Sequence, residues 1–386
     1  MINSPLVIQS TRAIGKTSLI LFVFLISCSK LISLPLDKAA MLGVIALLLF
    51  HQVFLSKTFS ARLLFPIIGL ASYFLLPYLL NLPDSSLIIF FPVLGLFFAG
   101  LAAEEEEFLD ILYWGLFVHI CVGILFVFSS YLIGLNSHVH PMYDKGLPFL
   151  HAAKGFTTTV QSYGTLLISW FLIYYWKKEK GETGKLESLA FWVAILGLIL
   201  TFNRNTFVIF YLILFFKHRK IFILTVVFAA LFYIYYFEFI NKLVFNVNTL
   251  NSRADLLQAF RISFFEQSGW KEYLIGHGNN MVDDVIARTT MYRTGYIENG
   301  TSMLLYTYGF IGYLAYLVAV MIMSVMFFMR DKVFYAAMFF YIFIIAQQFT
   351  HEFYATTLYL MISVFLIILN SKTTSASKDR IFSPAE

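Results

Sequence analysis

Residues 198–216 read LILTFNRNTFVIFYLILFF, nineteen positions whose single formal charge is Arg204. A guanidinium at the centre of a membrane span costs about 2.5–3.5 kcal/mol even on the gentler insertion scales. Such a cation needs either a helix end, from which it snorkels to lipid phosphates, or a recess and an anion to bind there. A second group of charges lies in 241–299, where six basic and six acidic residues are spread among aromatic ones. Arg253 and Arg261 fall within RADLLQAFRISFFEQ and, on a helix, project to roughly a common side. Asp283, Asp284, Arg288, Arg293 and Glu298 follow, placed individually and not as a polybasic lipid patch. The chemistry these residues allow is the binding of an anion by charge-assisted, bidentate hydrogen bonds. Metal chemistry is not expected. Cys28 and Cys121 both fall inside apolar runs, and the spacing of His138, His140 and His151 fits no zinc pattern.

The elements that must carry these residues follow from composition. The chain is 60% hydrophobic and 13% charged, with mean hydropathy +0.79, where a soluble domain carries about a quarter charged residues. Apolar runs of about 15–25 residues recur between short polar breaks, the pattern of helical spans and not of a barrel. The fold class is therefore an all-α integral membrane protein. The expected spans are 17–35, 38–56, 62–81, 86–103, 108–134, 156–176, 186–203, 205–218, 220–240, 300–328, 333–349 and 353–370, about twelve transmembrane helices. The first, which could imitate a signal peptide, lacks a clear small-residue cleavage site and reads as an uncleaved span.

With both termini cytoplasmic, the inner side collects Arg12, Lys16, Lys57, Arg62, the KKEKGETGK and KHRK loops, Arg330, Lys332 and the basic tail, as the positive-inside rule requires. Were 188–216 a single span, KKEKGETGK and KHRK would face opposite sides of the membrane. The run must therefore be two helices, with Arg204 at their outward turn and Asn203, Asn205 and Thr206 satisfying the exposed backbone. Three regions result: 1–240 with nine spans, an extracytoplasmic loop 241–299, and 300–386 with the last three spans and a short tail. A connection of that length is functional or disordered, and this one is too aromatic for disorder. Its 253–267 stretch sets Leu256, Leu257, Phe260 and Phe264 on one face of an amphipathic helix. His277, in YLIGHGNN, reads first as a turn residue, and His351 with Glu352, in QQFTHEF, as packing between the last spans, with lining of an outward-facing cavity as the alternative. The net charge of +5 is no argument for nucleic acid, and none is expected as a partner.

Three segments in order resemble the O-antigen ligase and polymerase superfamily of bacterial membrane glycosyltransferases. TFNRNTFVIF is similar to its short motif with an Arg at an outward helix junction. NSRADLLQAFRISFFEQSGWKEYLIGHGNN resembles its Arg-led helix, hydrophobic run and GxG turn. ENGTSMLLYTYGFIGY fits its signature of an Asn, nine residues and GxxG, through Asn299, Gly309 and Gly312. Glu298 stands where that signature has His, which separates the chain from the ligase branch and brings it nearer the Wzy-type repeat-unit polymerases. The resemblance covers about 186–328 and implies a GT-C-like fold in the bacterial cytoplasmic membrane, with an extracytoplasmic active site. It also implies a polyprenyl diphosphate-linked oligosaccharide as donor, no cofactor, and a flippase and a chain-length regulator as partners beside the membrane lipid. Arg204, Arg253 and Arg261 would bind the diphosphate, and Glu298 would take the acceptor proton for a single inverting displacement. His277, Asn299, Arg288, Arg293 and His351 would line the cavity. An O-antigen ligase is the nearest alternative, and a polysaccharide or lipid-linked sugar transporter or flippase the alternative from another class.

Overall fold

The computed structural model describes residues 36–50, 52, scattered positions between 68 and 79, 91–103, 107–143, 147–237, 247–278, 299–350 and 352–371. These residues are mostly helical. In chain order the helices are α1 Leu36–Phe50, α2 Phe91–Ala102 and α3 Glu107–Ile133, then, after a β-hairpin, α4 Val160–Glu179 and α5 Lys185–Thr201. They continue with α6 Arg204–Lys217, α7 Arg219–Tyr235, α8 Val247–Phe260, α9 Trp270–Ile275, α10 Gly300–Met329, α11 Val333–Phe340 and α12 Thr356–Asn370. The expected span 17–35 lies outside the described residues, and 62–81 is described only at scattered positions. Two helices, α3 and α10, are long and apolar enough to cross a membrane. Three shorter apolar stretches, Phe91–Ala102, Val333–Gln348 and Thr356–Asn370, fall below a full crossing length.

The mostly helical fold is compatible with the all-α expectation and departs from it locally. The connection after α3 holds an antiparallel hairpin, β1 Val139–Met142 with β2 Leu147–Ala153, pairing Val139 with Ala153 and His140 with Ala152. Its residues include the three unassigned histidines. His151 lies on the Tyr131 ring at 4.8 Å and shares a 2.6 Å hydrogen bond with Ser130 Oγ, while His138 stacks on Phe126. A second departure is at the end of α11. There the helix widens to a π-turn over Tyr341–Ile345 and tightens to a 3-10 turn over Ala346–Gln348, where an unbroken span to 349 is the sequence expectation. Such irregular turns re-aim side chains that a regular helix would bury or expose.

The core is built around α4, whose Trp170, Phe171, Leu172 and Ile173 are fully buried between α3, α5, α6 and α12. Because lipid gives helices no hydrophobic reason to associate, close backbone approach has to supply the packing. One such approach joins α4 to α6, where a Cβ at Gly164 would collide with the Thr206 side chain.

The helix ends sort into two groups. At one, Lys177 pairs with Asp110, Lys217 with Glu179, and Lys332 donates to the Ser371 carbonyl at 2.8 Å. Asn370 Nδ2 reaches Ala103 O there. The other group holds the starts of α4, α6, α10 and α12, with Thr356 donating to Asp37 at the start of α1. The basic KKEKGETGK and KHRK loops thus share one end of the bundle, as two helices in 188–216 require.

Candidate functional site

The break that carries Arg204 is specified by its own residues. Helix α5 stops at Phe202, which takes a left-handed conformation (φ 46°, ψ 27°), a backbone state costing a non-glycine residue roughly 1–2 kcal/mol. Asn203 offsets that cost by capping α6: its side chain accepts from the Asn205 N–H at 3.0 Å and the Thr206 N–H at 3.4 Å, an arrangement worth about 1 kcal/mol. Thr201 Oγ1 accepts from the Asn203 N–H at 3.2 Å. Arg204 is consequently the first residue of α6 and half-buried. A cation at a helix N-terminus is placed against the helix dipole. The same place is favourable for an anion, because the guanidinium and the positive end of the helix dipole attract it together.

Asn203, Asn205 and Thr206 line a recess of about 370 Å³, its open mouth included. The opposite wall is the segment that follows the 3-10 turn, with Gln347, Thr350 and Glu352, and α4 closes a third side with Gln161 and Thr165. Glu352 is buried, and its Oε2 accepts a 2.6 Å hydrogen bond from Thr165 Oγ1. Burial pushes its carboxyl up to about 7, against the opposing effect of the Thr165 hydrogen bond. Gln347 and Thr350 are buried too, and among the described residues Gln347 Oε1 and Thr350 Oγ1 have no hydrogen-bond partner. Such groups cost free energy unless something meets them. The wall is fixed to α10, since the Gly300 N–H donates to Thr350 O at 3.0 Å and Asn299 Nδ2 to Gln348 O at 2.9 Å.

The long connection docks beside this end. Leu256, Phe260 and Phe264 pack on Met303 and Tyr306 of α10, but Leu257, expected on the same face, is exposed. After Phe260 the helix opens into a π-turn, Arg261–Glu266, which shifts the register of its faces. Arg261 is largely exposed, 3.9 Å from Glu266, and is not among the residues lining the recess. Arg253 lies in α8, and its side chain is outside the described residues. Glu298, Arg288, Arg293 and His351 also lie outside them.

His277 has a structural place. Its ring stacks on Tyr306 at 4.6 Å and shares a 2.6 Å hydrogen bond with Ser268 Oγ, and its N–H donates to Tyr306 O. Burial draws its pKa down, with Glu272 acting the other way. The two glycine motifs meet here. Gly276 (φ 93°) abuts the Thr307 carbonyl, and Gly309 (φ 66°), where α10 kinks, abuts the Leu274 carbonyl. Asn299 caps α10 by accepting from the Ser302 N–H at 2.8 Å; it does not line the recess.

The recess residues that sequence reasoning missed are Thr165, Gln347 and Thr350, while Glu352, read together with His351 first as packing, lines the recess. A signal was present in AQQFTHEF, where two amides and a carboxylate interrupt an apolar run, since polar groups at membrane depth face a protein interior or cavity. Among the described residues no three His, Cys, Asp or Glu side chains are grouped so as to hold a metal ion. Comparison of the chain with known protein families finds no match, and comparison with curated proteins finds no significant one.

Proposed function

We propose that this protein is a multi-pass glycosyltransferase of the bacterial cytoplasmic membrane that polymerises polysaccharide repeat units. It would take an oligosaccharide from a polyprenyl diphosphate carrier and pass it to the hydroxyl of an acceptor sugar on the outer side. About twelve spans, nine before the long connection and three after it, would make up the fold, with both termini cytoplasmic. The observation that carries this reading is the α5–α6 junction, where half-buried Arg204 stands between Asn203 and Asn205, which line a recess of amide, hydroxyl and carboxylate side chains. A cationic helix start suits the diphosphate of a lipid-linked donor, and amide and hydroxyl groups suit a sugar. The docking of the GxG turn onto the first glycine of YGFIG supports the resemblance from a second direction, because two of its motifs come together.

In the reaction proposed, Arg204, joined by Arg253 and Arg261 from the long connection, holds the diphosphate and stabilises the charge that develops as it leaves. The acceptor hydroxyl needs a carboxylate beside it, and the resemblance nominates Glu298. The test is complementation of a deletion strain followed by electrophoresis of the surface polysaccharide. Arg204→Ala should replace the ladder by a single repeat unit, and Arg204→Lys should restore it only in part, because an ammonium keeps the charge but not the planar fork. A normal ladder from Arg204→Ala at normal protein level would defeat the proposal. Loss of the one-unit band as well would indicate ligation in place of polymerisation.

A further inference from the structure

The recess contains an arrangement that the diphosphate chemistry does not use. Glu352, Thr165, Gln347 and Thr350 come from three different elements onto one small polar cavity beside Arg204's neighbours. Gln347 Oε1 and Thr350 Oγ1 have no hydrogen-bond partner among the described residues, though both residues are buried. An amide oxygen accepts, a hydroxyl both donates and accepts, and a carboxylate accepts or takes a proton. This is the complement of a sugar hydroxyl, which donates one hydrogen bond and accepts others. The cavity volume inside the mouth is about 20 Å³, room for about one water-sized group, so the recess takes the reacting hydroxyl and leaves the sugar ring at its mouth.

Resting on the polymerase reading above, we infer that this recess is the acceptor subsite, and that Glu352, in place of Glu298, is the catalytic residue that takes the acceptor proton. The step balances. The acceptor oxygen forms a bond to the anomeric carbon, and the bond from that carbon to the carrier diphosphate breaks. The electron pair leaves with the diphosphate beside Arg204, and the hydroxyl proton passes to the Glu352 carboxylate. Gln347 and Thr350 form the polar wall beside that hydroxyl. The end of the helix at Phe349 matters here, since on a continuing regular helix Gln347 and Thr350 would share a face but Glu352, five positions after Gln347, would turn about 140° away from it.

Glu352 is the sole ionisable side chain among the described lining residues, which come from α4, the α5–α6 junction, α6, the end of α11, the segment after it and α12. His351, beside it in sequence, lies outside the described residues. Rate should therefore follow ionisation of this carboxyl, which burial places at about 7: low below that pH, rising through it, and level above. The assay uses the purified full-length protein in proteoliposomes, with carrier-linked single units extracted from the deletion strain as donor and acceptor.

Glu352→Gln should lower the rate at least about 100-fold, the smaller effect of a general base, and leave a residue of activity that no longer rises through neutral pH. Glu352→Asp should recover part of both. Thr165→Val keeps the shape but removes the hydrogen bond that favours the charged form, so its pH midpoint should move upward, a change that a packing role would not produce. A wild-type rate and profile from Glu352→Gln, or an unmoved midpoint in an active Thr165→Val, would overturn the assignment. If Arg204→Ala is inactive in the same assay, the polymerase reading survives that outcome. An Arg204→Ala protein as active as wild type would remove both.

Discussion

Burial holds the Glu352 carboxyl near pH 7, while in the unfolded chain it titrates near the model-compound value of 4.5. Between those two values the native state keeps a proton that the unfolded state releases, so the native state is progressively disfavoured as pH rises through this window. The penalty is absent below about 4.5 and complete above about 7. A shift of that size corresponds to at most about 3 kcal/mol. Glu352→Gln removes the ionisation and keeps an oxygen for Thr165 to bond. In detergent the variant should therefore match wild type in thermal midpoint at pH 4 and exceed it at pH 8, with the difference opening between the two. A pH-independent difference would mean that Glu352 is solvated. The same residue that weakens the fold at neutral pH is suited to proton transfer there, because a base works best with a pKa near the working pH.

At the level of elements, the two glycines that meet between the long connection and α10 make a separable prediction. Both have positive φ, and a side chain at either collides with backbone carbonyl, which cannot swing away as a side chain can. Gly309→Ala should cost about 1–3 kcal/mol from the backbone state alone, and it should loosen the docked α8–α9 segment. Faster limited proteolysis between 247 and 278 would report this. Gly43→Ala, where an added Cβ meets nothing within 4 Å, is the control and should be neutral. How much of this was legible in the sequence differs by element. The α5–α6 break was legible because Asn203 is a strong cap and because charge in the flanking loops forbids one long span. The hairpin was not, since HVHPM and LPFLHAA are short, broken by proline and without alternation. The widened end of α11 was not legible either, because an apolar run does not reveal its hydrogen-bond spacing. Leu257 lies in the regular helix ahead of the π-turn, about 100° round from Leu256, off the face that Leu256 and Phe260 share at i, i+4, and so turns outward.

Across the whole molecule, apolar surface and polar ends are separated in the way a bilayer would separate them. Helix α7 buries none of its residues, with Phe228 and Ile234 more than two-thirds exposed, and α10 beyond Gly309 exposes Leu314, Ile322 and Phe328. In water, apolar patches of this extent would drive aggregation; in lipid they are the solvated face. The polar ends then have to lie on opposite sides. The Lys177–Asp110 and Lys217–Glu179 pairs mark one, and the recess, the hairpin and the docked α8–α9 segment mark the other. The proposed chemistry works only if the second end faces away from the cytoplasm, where the carrier-linked donor is expected. Single cysteines placed at Asn203, Tyr143 and Ser268, in a background with Cys28→Ser and Cys121→Ser, should react with a membrane-impermeant maleimide in intact cells. Cysteines at Glu182, Arg219 and Asp331 should react only after permeabilisation. If Asn203 and Ser268 labelled on opposite sides, Arg204 and the long connection could not share a donor. If all six sites labelled from outside, the bundle would not cross the membrane as the polymerase reading requires.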